Sequence, residues 1–236
     1  MALLAIAVVL TVPACGGDDD DEPETGGESR PALDPAQFSA QVDHPLFPLA
    51  SLRSMAYAGI EGDPESKERA RVRSVSRVLD EPGEVSGVPV TVVEVREFED
   101  GELVEHTFDY YAQDDEGKVR YMGERVDDIE DGKVVGHEGQ WLAGRGDAKA
   151  GLFMPADPQV GDVFEQERAP GVAEDRSEVV DTGLEMTVPA GSFEDCIKTE
   201  DFAPLDNNRE FKFYCPGVGL VREQFEIGRM DLVRYR

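Results

Sequence analysis

Basic residues are scarce in this sequence, which has 23 Lys and Arg against 51 Asp and Glu in 236 residues and a formal net charge of −28. Such a surface repels a phosphate backbone, so no nucleic-acid partner is expected. Long apolar runs are lacking after Cys15, and no later segment is suited to cross a bilayer as a helix. The length suits one domain with a real hydrophobic core.

The strongest apolar run, from Ala2 to Val12, leads directly into Val12-Pro13-Ala14-Cys15 and two glycines. This pattern resembles the lipobox of a bacterial lipoprotein signal peptide, in which the cysteine thiol takes a diacylglycerol. The run is too short for a transmembrane helix but suits the apolar region of a signal peptide. We expect residues 1–14 to be a signal peptide and Cys15 to anchor the protein to the extracytoplasmic face of the cell membrane. The alternative is an ordinary signal peptide, or a buried helix, with a cysteine there by chance.

Residues 15–43 have the composition of a tether. A run of aspartates from Asp18 to Asp21 and several further acids repel one another, while repeated prolines and glycines disfavour helix and strand. We therefore expect a disordered acidic linker here, followed by a folded domain over residues 44–236.

Lipidation of Cys15 leaves Cys196 and Cys215 in an oxidising compartment, and this even number predicts a disulfide. Each lies beside a strand-like run, 197–202 and 209–214, and residues 203–208 between them are typical of a turn. A hairpin of these runs brings the two cysteines together. A catalytic thiol or a metal ligand is the alternative, although neither cysteine has a histidine or second cysteine close in sequence.

Alternating apolar and polar residues, interrupted by turn dipeptides, dominate the chain beyond the tether. The dipeptides are Pro82-Gly83, Asp100-Gly101, Glu116-Gly117, Asp131-Gly132, Ala190-Gly191 and Pro216-Gly217. Helical periodicity is nearly absent. The pattern predicts an all-β domain built from hairpins, with a single antiparallel and strongly curved sheet in the form of a half-barrel or a sandwich-like fold.

Two hairpins have a register that can be predicted. A two-residue turn at Asp100-Gly101 pairs Glu99 with Glu102, Val95 with His106 and Val93 with Phe108, which sorts apolar and polar residues to opposite faces. A similar turn at Asp131-Gly132 pairs Glu130 with Lys133, and it also implies the pairs Arg125–Glu138, Val126–His137 and Met122–Trp141.

This register predicts a concave face that carries two histidines among bulky residues. Its candidate ligand-binding residues are His106, Tyr110, Met122, His137 and Trp141. Such a face can take a small apolar or amphiphilic ligand. The alternative is that these side chains fill the core and that each histidine is satisfied by a carbonyl or hydroxyl group.

Metal, cofactor and catalytic motifs are missing. His44, His106 and His137 share no short spacing, and Glu105 and Glu138 are predicted on the opposite face from the neighbouring histidines, so no metal site is expected. The sequence contains no Gly-X-Ser-X-Gly motif and no glycine-rich phosphate loop, and no cofactor is expected. Paired carboxylates for hydrolysis depend on distance rather than spacing, which leaves a carboxylate-dependent hydrolase as an alternative. Residues 152–156 are predicted to form an edge strand that seals the core, with a lid or a membrane-facing patch as alternatives.

The folded part of the sequence contains a set of short motifs, namely His44-Pro45-Leu46-Phe47-Pro48-Leu49, Tyr110-Tyr111-Ala112-Gln113-Asp114, Gly136-His137-Glu138-Gly139-Gln140-Trp141, Met154-Pro155-Ala156, Val160-Gly161-Asp162, Val188-Pro189-Ala190-Gly191-Ser192-Phe193, Asp195-Cys196 and Pro216-Gly217-Val218-Gly219. Together they resemble the motifs of a widespread family of uncharacterised bacterial extracytoplasmic proteins. The resemblance implies a secreted or lipid-anchored protein but no known activity, so it assigns no catalytic residue. The expected architecture also resembles the half-barrel carriers of lipoproteins and lipids, at the level of fold alone.

These observations favour a non-catalytic envelope protein that binds a small apolar or amphiphilic ligand. A structural or partner-binding surface domain with a filled core is the first alternative, and a hydrolase is the second. The sequence does not determine an oligomeric state.

Overall fold

The computed structural model describes residues 33–63, 65–66 and 69–236. The predicted signal peptide, the lipidation site Cys15 and the acidic tether up to residue 32 lie outside these residues. In the described part, regular structure is all strand apart from two 3₁₀ turns, Pro35–Gln37 and Leu49–Ser51. The predicted all-β class is confirmed. None of the helical segments in this part of the chain has the length and apolar character of a membrane span.

Sixteen strands follow one another along the described chain. The first eight are β1 (Phe38–Ser39), β2 (Ser54–Glu61), β3 (Ala70–Val78), β4 (Gly83–Val85), β5 (Val88–Glu99), β6 (Glu102–Asp114), β7 (Val119–Glu130) and β8 (Lys133–Gly136). The other eight are β9 (Trp141–Leu142), β10 (Gly151–Met154), β11 (Val163–Glu165), β12 (Arg176–Val188), β13 (Gly191–Ala203), β14 (Asn208–Cys215), β15 (Gly219–Gln224) and β16 (Gly228–Tyr235).

The strands form one large antiparallel sheet, as predicted, in the order β10-β7-β6-β5-β3-β2-β16-β15-β14-β13-β12-β11. The sheet is curved and is not closed into a barrel. The segments beside the two edge strands nevertheless lie close to each other. Lys149 N–H, just before β10, donates to the carbonyl of Arg168, just after β11, at 3.0 Å. A Cβ on Gly151 in β10 would lie 1.8 Å from the carbonyl oxygen of Gln166, which follows β11, so only glycine fits this approach.

Both predicted hairpin turns are present. Asp100 and Gly101 have φ angles of 49° and 97°, and Asp131 and Gly132 have φ angles of 49° and 72°. Two successive positive φ angles define the type I′ turn that suits the twist of a two-residue hairpin. Next to the turns, Glu99 pairs with Glu102 and Glu130 pairs with Lys133, as predicted.

The predicted register beyond the first turn is wrong. Phe98 pairs with Leu103 but Glu97 pairs with Glu105, so Val104 is the extra residue of a β-bulge. Val95 therefore lies opposite Thr107 instead of His106, and Val93 lies opposite Asp109 instead of Phe108. A shift of one residue exchanges the two faces of a strand. The inner face of β6 accordingly carries Glu105, Thr107, Asp109 and Tyr111, and the outer face carries His106, Phe108 and Tyr110.

The second predicted ladder is also wrong beyond its turn. β8 ends at Gly136, and the chain turns before β9, where Trp141 pairs with Glu124 and Leu142 with Gly123. The predicted pairs Arg125–Glu138, Val126–His137 and Met122–Trp141 do not form. The sequence pattern predicts one continuous ladder. The structure interrupts it with a turn between the two strands, in which the Glu138 N–H donates to the Asp128 carboxylate at 2.8 Å.

The predicted disulfide between Cys196 and Cys215 is confirmed, with an S–S distance of 2.02 Å. It joins β13 to β14 next to the pair Ile197–Tyr214, and the hairpin closes at Ala203–Asn208. The predicted strands and turn of this hairpin are therefore correct.

The segment before β2 packs against the sheet. β1 pairs with β6, and Val42 is fully buried, so the packed chain begins before His44, the expected start of the domain. His44 is also buried, and its Nδ1 accepts a hydrogen bond from Leu46 N–H at 3.1 Å. Its Nε2 therefore carries the proton and donates to the Ala156 carbonyl at 3.3 Å. The bond to Leu46 orders the segment locally, and the bond to Ala156 connects it to the chain that follows β10.

Candidate functional site

An interior cavity of about 100 Å³ lies on the concave face of the sheet. Its wall combines apolar, aromatic and acidic side chains from many elements. The aromatic residues include Phe47, Tyr57, Tyr111, Tyr121, Phe153 and Tyr214, and the charged residues are Asp109, Glu167, Asp175, Lys212 and Glu223. A largely apolar cavity with a few convergent polar groups is the usual form of a small-molecule site.

All of these aromatic side chains except Tyr57 form one packed cluster. Phe153 of edge strand β10 lies with its ring centroid 4.4 Å from that of Phe47 and 5.0 Å from that of Tyr111. Tyr111 stacks on Tyr121 at 5.0 Å, and Tyr214 meets Phe153 edge-on at 6.2 Å. Residues 152–156 thus supply an edge strand that seals the core, as predicted, and its phenylalanine is part of the cavity wall.

Lys212 on β14 is the centre of the charged part of the wall. Its Nζ lies 2.6 Å from Glu210 Oε1 on the same strand and 3.1 Å from Asp201 Oδ2 on β13. Glu223 Oε1 on β15 is 3.7 Å away, which is an ion-pair distance but too long for a hydrogen bond. Burial alone would lower the pKa of Lys212, but the three carboxylates outweigh it and hold this pKa well above its ordinary value.

Glu223 has no hydrogen-bond partner for either carboxylate oxygen among the residues that the structure describes. Its side chain is fully buried. Burial raises the pKa of Glu223 well above its ordinary value, and the nearby carboxylate of Glu210 adds to the rise. A buried carboxylate without donors is costly, so this residue either holds a proton or requires a donor from a ligand.

Asp109 and Glu167 are the other acids with strongly shifted pKa values on the cavity wall. The Tyr121 hydroxyl donates a hydrogen bond to Asp109 Oδ1 at 2.8 Å. Burial nevertheless raises the pKa of Asp109 to about 6 and that of Glu167 to about 7. Both groups therefore titrate close to neutral pH, which is a common feature of functional sites.

A second group of acids continues along the concave face. Glu97 on β5 lies directly opposite Glu105 on β6, so two carboxyl groups face each other on neighbouring strands. Burial raises the pKa of Glu97 to about 8, and the charge of Glu105 contributes to this rise. Like charges at this position destabilise the pair, and protonation of one partner relieves the repulsion.

The two histidines of the predicted site lie away from the cavity. His106 on the outer face places Nε2 3.0 Å from Glu94 Oε1 and packs its ring on Phe108. His137 lies in the turn after β8, with a side chain that is 56% exposed and Nδ1 2.7 Å from the Val126 carbonyl.

The other three predicted residues do not line the cavity either. Tyr110 is half-buried, and Met122 and Trp141 are buried core residues. The ring centroids of Trp141 and Tyr121 are 5.5 Å apart in an edge-on contact, so Trp141 packs behind a residue of the cavity wall. The structure therefore does not bring the five predicted residues into one concavity, because the bulge at Val104 and the turn after β8 separate them. In the described ranges, no three His, Cys, Asp or Glu side chains are grouped to hold a metal ion.

The sequence does not identify Lys212 as a site residue, because the apolar residues of β14 predict that the opposite face of the strand is buried. Phe211 and Phe213 alternate with Glu210 and Lys212, and a standard interpretation places the phenylalanines inside. The structure buries Glu210 and Lys212 and leaves both phenylalanines half-buried. The one available signal was a lysine within a strand-like run of a chain that has only six lysines.

Comparison with known proteins finds no significant match to a protein family, to a curated protein or to a solved structure. The family resemblance of the sequence motifs gains no support from this comparison and stays a prediction. The chemistry of the cavity is therefore the basis for a functional proposal.

Proposed function

We propose that this protein is a non-catalytic binding module of the cell envelope that holds a small amphiphilic ligand in the interior cavity. The observation that carries the proposal is a cavity whose wall joins an aromatic cluster to buried carboxyl groups. Apolar surface of the ligand would pack on rings such as Tyr111 and Phe153, and a polar group would meet acids such as Asp109 and Glu223. The proposal keeps the ligand class expected from the sequence, a small amphiphilic molecule, but places its binding site at other residues than those predicted.

The extracytoplasmic location is part of the proposal. The lipobox-like segment at Val12–Cys15 supports a lipid anchor on Cys15. The disulfide between Cys196 and Cys215 adds support, because such bonds persist mainly in oxidising compartments. The membrane is then a partner through the lipid, and the domain faces the ligands of the envelope.

Native mass spectrometry of the full chain purified from its own membrane tests both parts. We expect a diacylglycerol mass on the N-terminal cysteine and a non-covalent small molecule on the folded protein. Ser74 is buried on β3 and lines the cavity, so Ser74→Leu should fill the space and abolish retention of the molecule. Arg77→Leu on the exposed face of the same strand is the matched control and should retain it.

Two results would contradict the proposal. Retention of the molecule by a folded Ser74→Leu variant would place binding elsewhere. A chain that carries no small molecule, and that binds no small apolar, cationic or anionic probe, would favour the structural or partner-binding alternative.

A hydrolase is the second candidate, favoured by Asp109 and Glu167 on the wall of one cavity. Burial raises the pKa of Asp109 to about 6 and that of Glu167 to about 7, which suits proton transfer near neutral pH. Glycoside hydrolysis uses two carboxyl groups on either side of the scissile bond, and in this alternative Asp109 and Glu167 would supply them. Hydrolysis of chromogenic glycosides that Asp109→Asn abolishes without loss of folding would establish this function instead.

A further inference from the structure

The buried part of the site holds more acids than it can neutralise. Six carboxyl groups interact with one lysine, Lys212, through direct ion pairs or through its charge. They belong to Asp109, Glu167, Asp175, Asp201, Glu210 and Glu223. Buried carboxylates need a compensating cation or a proton, because desolvation of an unpaired charge is costly. Lys212 can satisfy only some of them, which leaves room for a second cation.

Glu223 indicates where a second cation would bind. It lines the cavity, is fully buried, and has no hydrogen-bond donor for either oxygen among the described residues. The nearest cationic group, Lys212 Nζ, is 3.7 Å from Oε1 and is already close to Glu210 and Asp201. Neither oxygen of Glu223 receives a hydrogen bond from a basic or amide donor of the described residues, and its near neighbours are the Glu210 carboxyl and the Lys212 ammonium.

The remainder of the wall favours an organic cation over a bare metal ion. Ring faces attract ammonium groups through the negative quadrupole of the ring, and Tyr and Phe side chains supply such faces here. The described side chains offer no group of three metal-ligating residues, at this cavity or elsewhere. An ammonium group carries three donors and a positive charge, so its binding would favour the ionised form of Glu223 over the protonated form that burial favours.

We infer that the ligand is a small primary ammonium compound whose cationic group binds Glu223, within an acidic wall that includes Asp109, and whose apolar part packs on Phe153 and Tyr111. This inference rests on the proposed function and specifies its ligand class. A cavity of about 100 Å³ limits the ligand to a few non-hydrogen atoms in the interior. Negatively charged ligands are disfavoured, because their charge would meet the acidic wall.

Three probes with the same number of non-hydrogen atoms separate the charge of a ligand from its size. They are n-butylammonium, 1-butanol and propionate, each titrated into ¹⁵N-labelled full chain and followed by amide chemical shifts in the cavity strands. We expect n-butylammonium to bind about tenfold tighter than 1-butanol, the effect of one hydrogen bond to a charged group, and propionate not to bind.

Two isosteric variants locate the charge that the probe recognises. Glu223→Gln should remove the tenfold preference for n-butylammonium and leave the affinity for 1-butanol unchanged. Asp109→Asn keeps an acceptor for the Tyr121 hydroxyl and should reduce the same preference, so the test does not depend on one variant's folding. Glu185→Gln, an exposed acid on β12, is the control with the same charge change and should have no effect.

The outcomes distinguish this inference from the proposed function. Equal binding of 1-butanol and n-butylammonium, tighter binding of propionate, or calcium chloride displacing n-butylammonium from these shifts would overturn the ammonium ligand while the cavity stands as a binding site. A preference that persists in both Glu223→Gln and Asp109→Asn would also overturn it. Absence of binding by all three probes would instead count against the binding function itself.

Discussion

Lys212 Nζ lies 2.6 Å from Glu210 Oε1, and both side chains are buried on the concave face although they alternate with phenylalanines along β14. The pair is thus an interior ion pair in a strand whose two phenylalanines, Phe211 and Phe213, lie on the opposite face. On the outer face, the Lys198 ammonium of β13 lies 3.6 Å from the centroid of the Phe211 ring and 5.6 Å from that of Phe213, so one cation partly covers both rings. Because β14 turns its charged residues inwards, it supplies Lys212 to the cavity wall and Glu210 as the partner of this lysine.

Removal of the buried lysine should be strongly destabilising. Lys212→Met leaves Asp201, Glu210 and Glu223 without their cation, and loss of one partner of a buried ion pair costs about 3–5 kcal/mol. Urea unfolding at pH 8 should show this loss of unfolding free energy. Lys133→Met at the exposed start of β8 is the control and should change stability by less than about 0.5 kcal/mol. Equal stabilities of the two variants would contradict the role of Lys212.

Stability should fall as the pH rises above neutrality. Burial raises the pKa of Glu97 to about 8 and that of Glu167 to about 7. A carboxyl with a raised folded pKa stabilises the fold fully below its unfolded pKa, and this contribution is lost as pH rises through the folded pKa. We expect the Tm to be lower at pH 9 than at pH 6.5 by at least about 4 °C.

Glu97→Gln tests the origin of this decline. The amide is neutral at every pH, so the variant should lose less stability than the wild type between pH 6.5 and pH 9. Glu102→Gln, an exposed acid beside the hairpin turn, should follow the wild-type curve. A wild-type Tm that stays constant or rises over this interval would show that these acids are ionised in the fold at no cost.

His44 should act in the opposite direction at lower pH. Burial lowers the pKa of His44 below its ordinary value of 6.5. Its neutral form is favoured, so its contribution to stability is present above pH 6.5 and is lost as pH falls through the folded pKa. An NMR titration of the His44 imidazole should give a midpoint below 6.5, and a midpoint above 6.5 would contradict the buried acceptor role of Nδ1.

Substitution of His44 should loosen the segment before β2. His44→Ala removes the acceptor for Leu46 N–H and the donor to the Ala156 carbonyl, at a cost of about 1–3 kcal/mol. His44→Asn should cost less, because its amide oxygen can accept the same local bond from Leu46 N–H. Hydrogen exchange of residues 42–50 reports the change directly, and equal protection in the alanine variant would refute it.

The disulfide should contribute to stability independently of the cavity. Replacement of Cys196 and Cys215 by alanine opens a loop with a sequence separation of 19 residues. The chain-entropy relation gives a loss of about 3 kcal/mol for a loop of this size. Guanidinium unfolding of the double variant measures it, while probe binding in the cavity should be retained by the folded fraction. A double variant as stable as the wild type would show that the bond adds nothing to the native state.

The class of the fold could be predicted from the sequence because its signals are local. Dipeptides such as Asp100-Gly101 determine the turn type through their tolerance of positive φ angles, and alternation indicates strands whichever side faces inwards. The disulfide was predictable for a related reason, since the turn at 203–208 sets the register of its hairpin directly. Neither conclusion requires knowledge of distant neighbours.

The site depended on information that only the tertiary structure holds. The bulge at Val104 exchanges the faces of β6, and β14 buries its charged residues instead of its phenylalanines, so Asp109 and Lys212 line the cavity. Sequence by itself determined the strands, the turns and the covalent link. Which face is buried was decided by curvature of the sheet and by pairing among β13, β14 and β15, because a buried charge is tolerated only where distant strands supply its partners.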